Sequence, residues 1–112
     1  MGTSRLLRDD EKALLVGLLD GVPQGRRLLA SLATAVVEEM DDGGMGSLRF
    51  SQRGASTPRR LGALLAEREF VDSDGVPILV AINLDESGDL FELDIWKVDF
   101  SPLRRFPAVE EH

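Results

Sequence analysis

Glu92, Asp94 and Asp99 lie close together in the stretch ELDIWKVDFSPL, residues 92–103. Two such carboxylates could serve as an acid/base pair or hold a divalent cation, as in hydrolases that work with two acids. Their setting argues for a simpler role. Glu92 and Asp94 alternate with Phe91, Leu93 and Ile95, which puts them on the outer, solvated face of a strand whose other face is core. Asp72-Ser73-Asp74-Gly75 and the set Asp85, Ser87, Asp89 have the spacing of oxygen ligands in a calcium loop. Neither stretch completes that loop with a glycine at its sixth and a glutamate at its twelfth position, and Asp and Gly are also the usual residues of tight turns. Gly43, Gly44 and Gly46 would let backbone amides approach a phosphate, but two aspartates precede them and no lysine or helix start follows. A hairpin needing positive φ explains those glycines better. Met45, between glycines, is expected as an adaptable, exposed apolar contact. No residue is assigned a catalytic, cofactor-binding or metal-binding role. The candidate interaction surface is Glu92, Asp94, Trp96, Asp99 and Met45.

Composition removes many mechanisms. With no cysteine, the chain has no disulfide, thiolate nucleophile or cysteine-ligated metal. Its only histidine is His112, the last residue, so a Ser-His-Asp triad or a preorganised histidine site has nothing to build on. Net charge is −7, and residues 67–99 alone carry −8. That field repels nucleic acid, against which Arg49, Arg53, Arg59 and Arg60 form only a modest patch, and it favours a basic protein partner. No apolar run approaches the roughly 20 residues that span a bilayer. The N-terminal stretch is interrupted by Asp9, Asp10 and Glu11 and lacks a cleavage site, so it reads as a helix and not a signal peptide. Met-Gly-Thr-Ser-Arg-Leu only superficially resembles a myristoylation signal. A cytoplasmic protein with no cofactor and no membrane partner is the expectation.

The elements that would carry these residues read as one domain over residues 1–112, of α+β class: two N-terminal helices packed on an antiparallel meander of about five strands. Asp9 is expected to cap a first helix that carries Leu14, Leu15, Leu18 and Leu19 on one face and stops at Gly21. Pro23 restarts the chain, and Leu28, Leu29, Leu32 and Ala33 form a second, shorter apolar face. Val36-Val37 favours a strand before the Asp41-to-Gly44 turn. Residues 47–51, 76–84 and 90–95 have strand length and alternation, with Val76, Ile78, Val80, Ile82 and Leu84 on one face. Thr57-Pro58 could open a helix carrying Leu61, Leu64, Leu65 and Arg68. The Asp-Ser-Asp-Gly turn that follows instead favours a strand from about Gly62 to Asp72, after a surface loop over residues 51–58.

The alternation in the last strand loses step at Ile95-Trp96. A β-bulge there would restore one core face of Phe91, Leu93, Ile95, Val98 and Phe100, and would place Glu92, Asp94, Lys97 and Asp99 outside. The rival is a regular strand whose Trp96 end is covered from the other side, by residues 102–107 or by a partner.

Three stretches, DDGGMGSLRF (Asp41 to Phe50), FVDSDGVP (Phe70 to Pro77) and LFELDIWKVDFSPL (Leu90 to Leu103), resemble a family of small bacterial proteins classed only as a domain of unknown function. That resemblance implies no activity, cofactor or catalytic residue. More loosely, the Asp-x-Asp-Gly hairpin followed by L-x-E-L-D-x-x-K looks like segments of immunity proteins from bacterial toxin systems. It implies a small acidic protein that acts by covering a basic partner. The resulting expectation is a non-catalytic, acidic protein-interaction module. The alternatives are a small carboxylate-based or metal-dependent enzyme, and a homodimeric structural protein that pairs through Trp96 or Phe100.

Overall fold

The computed structural model describes residues 4–41, 44–51 and 60–109. The expected 51–58 loop, the helix start at Thr57-Pro58, Gly43 and His112 therefore lie wholly or largely outside the described residues. The chain is α+β: β1 (Ser4–Leu6), α1 (Asp9–Leu19), α2 (Gly25–Ser31), a 3-10 turn (Leu32–Thr34), β2 (Val36–Glu39), β3 (Leu48–Phe50), β4 (Leu61–Val71), β5 (Pro77–Asp85) and β6 (Leu90–Lys97). All six strands form one antiparallel sheet in the order β1-β2-β3-β6-β5-β4. β4, β5 and β6 form a meander, but β6 then pairs with β3, so the chain crosses from the middle of the sheet to its far edge between β3 and β4. The sheet is thus not a simple meander. The sixth strand, β1, was not expected from the sequence.

α1 begins one residue earlier than Asp9 capping would place it. Arg8 is the N-cap, Asp9 is the first helical residue, and the Glu11 carboxylate accepts the Arg8 backbone N–H at 2.9 Å. Leu14, Leu15, Leu18 and Leu19 are buried against Leu28 and Leu32, and together they cover one face of the sheet: Val37, Leu48, Phe50, Ile78, Val80, Ile82, Leu84, Leu93 and Ile95. Each such side chain contributes roughly 1.5–3 kcal/mol on burial. Leu103, Phe106 and Val109 of the C-terminal segment pack against the same core. Among the described residues no helix is long and apolar enough to cross a membrane.

Pairing is regular through Ile95 and Trp96, which oppose Val80 and Leu79. The expected bulge is therefore absent there. The irregularity lies further back, where Asn83 pairs with Glu92 but Leu84 pairs with Leu90, leaving Phe91 as the extra residue. Beyond it, Leu93, Ile95 and Lys97 face the core while Glu92, Asp94 and Trp96 face outward. Val98 and Phe100, expected inside, are exposed; Phe100 is 74% exposed in the turn after β6. The regular register is that of the rival reading, but the C-terminal segment packs on the helix side through Leu103, Phe106 and Val109, so it is not the cover expected over Trp96.

Candidate functional site

Glu92, Asp94 and Trp96 share the sheet face opposite the helices. Their cross-strand neighbours Asn83, Ala81 and Leu79 come from β5, and Glu67 and Glu69 extend the same rows on β4. On the other flank, Arg49 of β3 opposes Glu92 and Glu38 of β2 opposes Arg49. The result is an acidic face with Trp96 and Leu79 at its apolar end. No described helix packs on it.

Two contacts organise its centre. Arg49 Nη2 donates to Glu92 Oε2 at 2.8 Å, and its guanidinium lies over the Phe91 ring at 5.8 Å. Asn83 Nδ2 donates to Asp94 Oδ2 at 2.5 Å. Partial burial, followed by the neighbouring Glu92 charge, pushes the Asp94 carboxyl above its ordinary value despite that hydrogen bond. Glu92 and Asp94 line none of three grooves of about 880, 610 and 460 Å³ found elsewhere on the molecule. Such a face can dock a surface.

The other two expected surface residues stand apart. Asp99 lies in the exposed turn after β6 and accepts the Ser101 hydroxyl at 2.6 Å and its backbone N–H at 3.0 Å, contacts that hold its carboxyl below the usual range. Met45 is not an exposed contact: it is 8% exposed, and its Sδ accepts the Lys97 backbone N–H at 3.4 Å. The turn that carries it folds inward because Gly46, at φ +90°, lets Leu103 and Phe106 close over it.

Sequence reasoning missed a buried polar cluster on the opposite face. The Lys97 ammonium is fully buried 3.0 Å from Asp72 Oδ2 and 2.6 Å from Asp74 Oδ2. Asp72 also accepts the backbone N–H groups of Ser73, Arg104 and Arg105 at 2.6, 2.8 and 3.0 Å. Burial opposes ionisation of Asp72, but these donors and Lys97 outweigh it and hold the carboxyl well below its ordinary value. The hydrogen bond to Asp74 leads the causes that raise the Lys97 amine above its usual value. A lysine held protonated in this way is neither a nucleophile nor a base; it pins the turn between β4 and β5 to the C-terminal segment. A signal was present in the sequence, since regular alternation from Leu93 through Ile95 puts Lys97 on the core face. The aspartates of the Asp-Ser-Asp-Gly turn are its partners, and in the next turn Asp85 Oδ1 accepts the N–H groups of Ser87 and Asp89.

A second buried carboxylate, Glu11, receives both terminal nitrogens of Arg5 at 2.8 Å and so ties α1 to β1. Burial raises its pKa, yet Arg5 and the Arg8 N–H bring it below the ordinary value overall.

No curated protein and no solved structure matches the chain. A family model described as a domain of unknown function, DUF6984, matches residues 4–107, and the chain belongs to that family.

Proposed function

We propose that the chain is a non-catalytic, acidic interaction module that covers a basic surface of a protein partner, with an immunity-type role as its specific form. The observation that carries this reading is the sheet face, free of any described helix, on which Glu38, Glu67, Glu69, Glu92 and Asp94 lead up to Trp96 and Leu79 at its end. A half-buried tryptophan beside a row of acids has the make-up of an interface anchor with a charged flank, and the acids would steer a cationic partner during encounter.

The test is affinity capture from the native host, with the unaltered chain and a Glu67→Lys, Glu69→Lys, Asp94→Lys variant side by side. Support would be a protein with a basic surface, identified by mass spectrometry, that the unaltered chain retains, the variant loses and salt releases. Equal retention by both chains would overturn the reading. For the immunity role, co-expression of the chain must relieve the toxicity of the captured partner.

Homodimerisation has an observation of its own. Among the described strands β4 is an eleven-residue edge strand, with Leu61, Leu64 and Val71 exposed along it, and long apolar edges of this kind invite strand pairing. Sedimentation equilibrium across a hundredfold concentration range would show a monomer–dimer shift if the edge pairs.

A further inference from the structure

Arg68 and Arg105 line a single groove of about 610 Å³ at the helix side of β4. Arg68 opposes Val80 in the sheet and so faces the core side, while the backbone N–H of Arg105 is fixed by its bond to Asp72 Oδ1 at 3.0 Å. Phe70, Phe106 and Val109 supply apolar walls, and no carboxylate is among the residues that line the groove. In a chain with 20 acidic and 13 basic residues that is an unusual lining. Arg5, Arg8, Arg27, Arg49 and Arg104 each reach a carboxylate. Among the described residues Arg26, Arg60, Arg68 and Arg105 do not, and of these four Arg68 and Arg105 share a groove.

Two guanidinium groups beside phenylalanine walls match a ligand with an anionic head and an apolar body. Arginine offers a planar fork that fits a carboxylate with two parallel hydrogen bonds, and the volume is within the roughly 300–1,000 Å³ of small-molecule sites. We propose that this groove binds small amphipathic carboxylates, with the head between Arg68 and Arg105 and the body against Phe70 and Phe106. The site lies on the opposite side of the sheet from the acidic face and does not depend on the function proposed for that face.

The experiment is a titration of octanoate into the full chain, followed by ¹H–¹⁵N NMR and by calorimetry. The expected result is saturable shifts concentrated at residues 68–71 and 105–109. Affinity should fall roughly tenfold in Arg68→Gln and in Arg105→Gln, each removing a charge-assisted contact, and should be nearly unchanged in Arg26→Gln. Arg105→Lys, which keeps the charge but loses the fork, should fall between the native chain and Arg105→Gln. Methyl octanoate, with the same body and no charge, should bind as weakly as octanoate binds the glutamine variants. Unaltered spectra away from the groove would show that the variants fold. No saturable shift, equal binding of the ester, or glutamine variants with native affinity would each overturn the proposal.

Discussion

Lys97 Nζ and Asp72 Oδ2 meet at 3.0 Å with both side chains fully buried, so the last residue of β6 and the turn after β4 are joined by an ion pair where a hydrophobic contact would be ordinary. Removing one member of a buried pair strands the other charge without water, which costs far more than the pair itself contributes. Lys97→Met and Asp72→Asn should each lower the urea midpoint strongly, and the double variant should recover part of the loss. Arg27→Gln, which breaks the exposed pair with Asp89, is the comparison and should cost less than about 1 kcal/mol. If Lys97→Met is no more damaging than Arg27→Gln, the cluster does not hold the fold together.

The same lysine should govern alkaline unfolding. Its folded-state pKa is raised above the ordinary lysine value of 10.5, so its stabilisation is fully present below that value and is lost as pH rises through the higher folded one. The chain has no tyrosine or cysteine, its only other lysine is Lys12, and arginine stays protonated, so few groups compete in this range. Native stability should therefore fall as pH rises above 10.5, with a slope that disappears in Lys97→Met. Denaturant melts between neutral pH and pH 12 measure it, and an identical alkaline slope in the variant would refute the assignment.

Much of the fold follows from local chemistry. β4 was readable as a strand although Leu61, Leu64, Leu65 and Arg68 have helical spacing, because the Asp-Ser-Asp-Gly turn demands an antiparallel partner before it. β1 was not readable: Ser4, Arg5 and Leu6 carry no periodicity, and what holds them is pairing with β2 and the distant Arg5–Glu11 bond. The register of β6 went wrong for one physical reason. A bulge at Ile95-Trp96 would give one core face from Phe91 to Phe100 and leave Lys97 outside, but Asp72 and Asp74 solvate that ammonium inside the protein. Glu92 and Asp94 lie on the outward face that their alternation with Leu93 and Ile95 implies, whereas Met45 is buried because its neighbours in space, Lys97 and the C-terminal segment, are remote in sequence.

Gly46 tests the packing that hides Met45. It adopts φ +90°, and a Cβ there would sit 3.4 Å from a Leu103 methyl and 3.6 Å from the Phe106 ring, so the neighbours leave room while the backbone does not. Gly46→Ala should destabilise the protein by about 1–3 kcal/mol through conformational strain alone. A urea melt reads the loss, and a variant as stable as the native chain would mean that the turn relaxes without the positive φ.

Asp94 offers the opposite sign. Its folded pKa lies above the ordinary aspartate value of 3.8, so ionising it is harder in the folded state; the resulting loss of stability begins as pH rises past that value and is complete above the folded pKa. Asp94→Asn abolishes that loss and keeps an oxygen that can accept from Asn83. At pH 7 the variant should be more stable than the native chain by on the order of 0.5 kcal/mol, the scale of surface substitutions. At pH 3, where the native carboxyl is protonated in both states, the two chains should be nearly equal. If Asp94 helps to hold a cationic partner, the variant should also bind that partner less tightly, since a charge kept at a cost to stability is expected where binding uses it. Parallel melts at the two pH values, with a binding titration once the partner is in hand, separate the outcomes. A variant that is less stable at pH 7 would show that the Asn83 hydrogen bond outweighs burial and the Glu92 charge.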